Sequence, residues 1–157
     1  MDFISPTKGS LSFDRMFEEI VAFVHEAPDA TYTLIIGSDS QAREHEVHFV
    51  TAVVIHRVGR GARYFYQKRS HRPMASLRQK IFYETSLSLA LAGRIAERLS
   101  ENGNAKLNVE IHLDIGQTGD TRGLIREIVG MVTGSGFDAK IKPESYGASK
   151  VADKYTK

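Results

Sequence analysis

Three β-rich runs follow one another with only short turns between them: YTLIIGSD at 32–39, EVHFVTAVVIHR at 46–57 and ARYFYQK at 62–68. Runs joined this tightly pair as antiparallel hairpins, because a parallel pair needs a long crossover. The pattern then changes. Leu77, Ile81, Glu84, Ser88, Ala92, Ile95 and Leu99 recur in steps of three and four, which marks one face of a long helix from Ser76 to about Ser100. LNVEIHLD at 107–114 reads as a strand, TRGLIREIVGMV at 121–132 as a helix, FDAKIK at 137–142 as a short strand and SKVADKYT as the start of a last helix. Strand–helix–strand units favour parallel pairing with right-handed crossovers. Ahead of all this, after an SPTKG turn, Phe13, Phe17, Ile20 and Val24 keep helical spacing until Pro28. The expected fold is α/β with a mixed five-stranded sheet. Its first three strands are antiparallel, its fourth and fifth parallel, and helices flank it. Residues 1–157 are expected to form one domain, with 1–30 a helical extension packed on it.

Composition excludes several chemistries. There is no cysteine, so disulfide scaffolds, thiolate zinc sites and cysteine nucleophiles are ruled out, and a reducing, cytoplasmic location is the expectation. The opening MDFISPTKGSLSF lacks the apolar core of a signal peptide, and no stretch reaches 18 uninterrupted apolar residues, so no membrane association is expected. Ser38 and Ser40 have no histidine and acid at a recognisable spacing, which argues against a serine hydrolase. GSG at 134–136 follows a helix and precedes a strand, the wrong order for a dinucleotide fingerprint.

The net charge is only +2, but it is unevenly spread. Between Glu46 and Glu84 no acid occurs, while Arg57, Arg60, Arg63, Lys68, Arg69, Arg72, Arg78 and Lys80 do. Tyr64, Phe65 and Tyr66 lie within this run. Aromatic rings beside phosphate-pairing cations hold single-stranded and irregular nucleic acids. Arg57, Arg60, Arg63, Tyr64, Tyr66, Lys68 and Arg69 are therefore candidate substrate-binding residues. The competing reading is a solvated hairpin whose rings face the core; strand alternation sends Phe65 opposite to Tyr64 and Tyr66, so at least one face is expected to be buried.

Four acids carry the strongest chemical signal. Asp39 closes the first long strand in IIGSDSQ and Asp114 closes the fourth in IHLDIG. If these strands are parallel neighbours, both carboxylates emerge at one sheet edge, where open α/β sheets place their sites. Two like charges side by side are tolerated when a divalent cation joins them, and Mg²⁺ and Mn²⁺ prefer carboxylate oxygen. A strand-end Asp taken singly is more readily a turn or capping residue. Glu84 is harder to account for, because it lies on the inward stripe of the long helix, where an unpaired carboxylate costs several kcal/mol. Asp153 lies four residues after Ser149, a candidate N-cap, and is explained equally by the helix dipole. His112, two before Asp114, is expected to share its face.

Two strand-end aspartates, a glutamate on the first long helix and an aspartate on the last, in a βββαβαβ order, resemble the ribonuclease-H-like nuclease fold. The segments FISPTKGSLS, IGSDSQ, RGARYFY, SLRQKIFYETSLSLA, IHLDIG, TRGLIREIVGMV and GFDAKIKPESYGASKVADKYT resemble the YkuK family of bacterial proteins over nearly the whole chain. The resemblance implies that Asp39, Glu84, Asp114 and Asp153 are metal-binding and catalytic. It further implies two Mg²⁺ or Mn²⁺ ions, with Asp39 bridging them, and hydrolysis of a nucleic-acid phosphodiester to a 3′-hydroxyl and a 5′-phosphate. The substrate would be RNA, an RNA–DNA hybrid or structured DNA. The alternative is a non-catalytic module of the same fold that binds nucleic acid or protein. LDIGQTGDTR also resembles the phosphate turn of sugar kinases and actin-like ATPases, but those bind ATP between two such domains, and 157 residues supply one.

Overall fold

A computed structural model describes residues 2–103, 107–116, 119–145, 151, 154 and 155. The three expected long strands form an antiparallel meander: β3 (Tyr32–Ala42), β4 (Val47–Arg57) and β5 (Ala62–His71). They follow a short hairpin, β1 (Phe3–Ser5) and β2 (Gly9–Leu11), and helix α1 (Phe13–Glu26). Helix α2 (Leu77–Glu101) then leads to β6 (Asn108–His112), a 3-10 turn at Arg122–Leu124 leads into α3 (Ile125–Gly134), and β7 (Asp138–Lys140) completes the sheet. The order across the sheet is β2-β1-β5-β4-β3-β6-β7, and β6 and β7 run parallel to β3.

The mixed α/β class, the antiparallel trio and the two parallel strands are as expected, but the sheet has seven strands rather than five. Residues 3–11 form a β-hairpin rather than part of a helical extension. Ile4 pairs with Tyr66, so the β1–β2 hairpin continues the sheet past β5. Its turn is closed by the Ser5 hydroxyl, which accepts from the Lys8 N–H at 3.1 Å, and by Gly9 at a φ of +76° that side chains disfavour. β3 also runs three residues beyond Asp39, because β4 pairs with it as far as Ala42↔Val47. The last helix, expected from Ser149, lies largely outside the described residues; Val151, Lys154 and Tyr155 are helical.

Both long helices begin on a serine cap, Ser12 accepting from Arg15 N–H and Ser76 from Gln79 N–H. They cover the same face. Met16, Phe17, Ile20 and Phe23 of α1 and Leu91, Ala92, Ile95 and Leu99 of α2 pack on Leu34, Ile36, Val53, Ile55, Phe65 and Ile111. The opposite face carries a smaller cluster of Ile35, Val50, Ala52, Val54 and Tyr66, against which Val151 and Tyr155 pack. Of the α2 stripe, Ile81, Glu84, Ser88, Ala92, Ile95 and Leu99 are buried, while Leu77, in the first turn, is 40% exposed.

Phe3 is fully buried in the main core although it sits in a three-residue strand. Phe3→Ala should therefore lower stability by about 3 kcal/mol, the usual cost of emptying a buried aromatic site. Urea unfolding checks this, and an unchanged midpoint would mean that the hairpin is an appendage rather than part of the sheet.

Candidate nuclease-type site at the sheet edge

α2 starts at the edge where β5 ends and runs back along the sheet, so that β6 can begin at the far end and pair parallel with β3. The last β3–β6 pair is Gly37↔His112, and Asp39 and Asp114 each stand two residues beyond it. Parallel pairing thus brings both aspartates to one edge at one level. Glu84 lies seven residues into α2, about 10 Å from the helix start at the usual rise, which puts it beside the same edge.

The local chemistry of β3 follows its alternation. Leu34, Ile36, Ser38 and Ser40 face α2; Ile35 and Asp39 face the other way. The Ser38 hydroxyl lies 2.8 Å from that of Ser88 on α2 and 2.9 Å from that of Thr51 on β4. One helical turn earlier, the Ser40 hydroxyl donates to Glu84 Oε2 at 2.5 Å. Small hydroxyl side chains let α2 approach the strand closely and leave the Glu84 carboxyl 7% exposed. Burial pushes that carboxyl up to about 8, opposed by the Ser40 hydrogen bond and assisted by the negative charges of Asp39 and Asp114; Lys80 opposes only weakly. Asp39 and Asp114 are therefore within electrostatic range of Glu84 even though Asp39 points to the opposite face of β3.

Asp114 Oδ1 is bridged to Lys142 Nζ at 2.8 Å. Among the described residues, no three His, Asp or Glu side chains stand close enough to hold one ion. The expected fourth acid, Asp153, lies outside the described residues. The donor chemistry still fits a hard cation: the charges of the two strand-end carboxylates oppose ionisation of the buried Glu84 carboxyl on α2, and a divalent ion would relieve this.

The basic run is divided by its own hairpin. Arg57, Arg60 and Arg63 sit at the β4–β5 turn, at the opposite end of the sheet from the carboxylates. Arg57 is a structural tie there, donating to Phe23 O at 2.8 Å and to the Tyr32 hydroxyl at 3.0 Å, with its guanidinium 4.0 Å above the Phe23 ring. Arg63 also lies over Phe23. Phe65 is buried under α1 and α2, as alternation requires. Tyr64 and Tyr66 are covered too: the Tyr155 ring stacks on Tyr66 at 3.8 Å, and the Tyr155 and Tyr64 hydroxyls are 2.9 Å apart. Lys68 and Arg69 are exposed at the carboxylate end, since Lys68 pairs with Val50 and Val50 with Asp39.

His112 lines a small cavity together with Ser38, Glu84 and Asp114; its Nε2 lies 3.0 Å from Glu110 Oε1, and burial holds it below its ordinary value against the pull of Glu110. His48 is paired with Glu46. Ser40, Lys142 and Glu110 were not singled out from the sequence for these contacts. The parity of Ser40 with Leu34 and Ile36 carried the signal for its contact with α2; nothing local marked Lys142, whose contact depends on the chain beyond β7.

Because Glu84 is protonated more readily in the folded state than when unfolded, the native protein binds the extra proton between roughly pH 4.5 and 8, and stability should fall as pH rises through that window. Without divalent ions, the wild type should lose on the order of 4 kcal/mol between pH 5 and 8.5. Glu84→Gln should flatten that loss. Parallel pH profiles in the two proteins, measured by urea unfolding, would contradict the burial argument.

Residues 15–157 match the family model described as Ribonuclease H-like. Across 166 aligned positions the chain is 38% identical to a Bacillus subtilis (strain 168) protein named as uncharacterized protein YkuK, covering 99% of this chain and 96% of that one. Together with the mixed sheet and the three helices packed into its main core, these matches place the chain in the YkuK family of ribonuclease H-like proteins.

Proposed function

We propose that this protein is a nuclease-type enzyme that hydrolyses phosphodiester bonds of nucleic acid with the help of divalent cations. The observation that carries the reading is the Glu84 carboxyl, nearly closed off from water on α2, hydrogen-bonded to Ser40 and lying in the fields of both Asp39 and Asp114. A buried carboxyl beside two others destabilises a fold that makes no use of it. Family membership supports a nuclease-type or nucleic-acid-binding domain.

Asp39, Glu84 and Asp114, with Asp153, are the residues that would hold Mg²⁺ or Mn²⁺. When bound, such ions lower the pKa of a water and offset charge on the departing oxygen. Ser40 fixes the direction of the Glu84 carboxyl. Lys142 neutralises Asp114 until a cation replaces it. Lys68 and Arg69 lie at the same edge and suit the phosphates of the strand being cut; phosphate contacts position a substrate without reading its sequence.

The Lys142–Asp114 bridge favours one other reading, a non-catalytic module in which a lysine permanently takes the cation's place. The two readings part on metal dependence. End-labelled RNA, RNA–DNA hybrid and structured DNA should be cleaved in Mg²⁺ or Mn²⁺ by the wild type and not by Asp39→Asn or Asp114→Asn. In a thermal-shift series, millimolar Mn²⁺ should raise the wild-type midpoint by mass action. Asp39→Asn should be at least as stable without metal and lack the metal-dependent gain. An equal Mn²⁺ shift in both proteins would place the ion elsewhere, and intact substrates throughout the panel would favour the binding module.

A further inference from the structure

A cleft of about 310 Å³ opens between the ends of β4 and β5 and the last helix. Arg43, His48, Lys68, Arg69 and Ser70 line it, with Tyr155 as a wall. Two side chains from the basic run and two groups from the β3–β4 turn region meet there, although 25 residues of sequence separate Arg43 from Lys68. His48 and Ser70 are register partners, as are Val50 and Lys68, so His48, Lys68 and Ser70 point to the face that carries Tyr155. That is also the face of Asp39, which pairs with Val50. Asp39 and Lys68 are thus two strand spacings apart, about 10 Å between their backbones. An acid is also nearby: Glu46 Oε1 is 2.6 Å from His48 Nε2.

We propose that this cleft is a phosphate subsite that holds a neighbouring phosphate of the same nucleic-acid strand whose bond lies at the carboxylates. Lys68 and Arg43 supply the charge, the Ser70 hydroxyl a neutral donor, and Tyr155 an aromatic edge beside the sugar or base. Its volume, at the low end of small-molecule pockets, suits one nucleotide unit rather than a duplex groove. A cleft of this size admits one strand and not a duplex, so the favoured ligand is a single strand. The inference deepens the nucleic-acid reading above and is independent of its chemistry, since it concerns binding alone.

The test measures binding in EDTA, where no cutting occurs. Fluorescein-labelled oligothymidylate, with a 5′-phosphate, a 3′-phosphate or neither, is titrated with wild type, with Lys68→Gln/Arg43→Gln and with Arg60→Gln/Arg63→Gln at the far end of the sheet. All substituted positions are exposed, and an unchanged melting temperature verifies the fold. The Lys68/Arg43 variant should bind about tenfold more weakly at low salt, with a log–log salt slope smaller by about 0.7 for each lost phosphate contact. The far-end variant should match the wild type. Preference for one phosphorylated end, lost in the variant and competed by inorganic phosphate, identifies a terminal phosphate as the ligand; equal binding of all three probes identifies an internal diester. Unchanged affinity and slope in Lys68→Gln/Arg43→Gln, with the wild type binding, overturns the subsite and leaves the nuclease-type reading standing. A wild type that binds no probe at any salt overturns both.

Discussion

α2 has to carry the chain from the end of β5 back along the sheet so that β6 can pair parallel with β3, and the remaining geometry of this protein follows from that one crossover. It sets Asp39 and Asp114 at the same edge, and it lays the buried stripe of α2 across the inward residues of β3. Where the two meet, the chain places hydroxyls and a carboxyl instead of a continuous apolar seam: Ser88 on Ser38 and Glu84 on Ser40. Replacing packed methylenes by polar groups costs stability unless each is satisfied. Here every buried side-chain nitrogen and oxygen among the described residues has a partner.

Satisfaction by hydrogen bonds does not settle the charge. One hydroxyl donor offsets only part of the burial cost of an ionised carboxylate, and the fields of Asp39 and Asp114 oppose ionisation further. The folded protein therefore stores an acid that prefers to remain protonated near neutral pH until something positive arrives. Lys142 already plays that part for Asp114. A flexible, exposed lysine is a replaceable partner, because exposed ion pairs contribute little. A divalent ion at the edge would offset the charges of Asp39 and Asp114 that oppose ionisation of Glu84, and to share it the three carboxyl groups would have to draw closer than they stand here.

Much of this was legible in the sequence. The seven-position stripe of α2 placed Glu84 inward, and the strand–helix–strand order placed Asp39 and Asp114 together, since both rest on long periods that tertiary context rarely overrides. The β1–β2 hairpin was not legible, because three-residue strands have no period to detect and Phe3 alone carries the burial. The placement of the basic run was not legible for a different reason. Contiguity in sequence became separation in space, as a ten-residue strand is roughly 33 Å long and the turn sends Arg57, Arg60 and Arg63 to the end away from the carboxylates. The rings of Tyr64 and Tyr66 were hidden by Tyr155, a contact across 91 residues in sequence for the Tyr64 pair that no local pattern encodes.

The account turns on whether Glu84, Asp39 and Asp114 share a cation. Anomalous diffraction at the manganese edge from crystals grown in Mn²⁺ locates the metal without reference to any substrate. The account predicts a peak at this edge within ligand distance of Glu84, Asp39 and Asp114, drawn closer together than they stand here, with Lys142 displaced from Asp114. A peak elsewhere, or none with the Lys142–Asp114 bridge intact at saturating Mn²⁺, would contradict it.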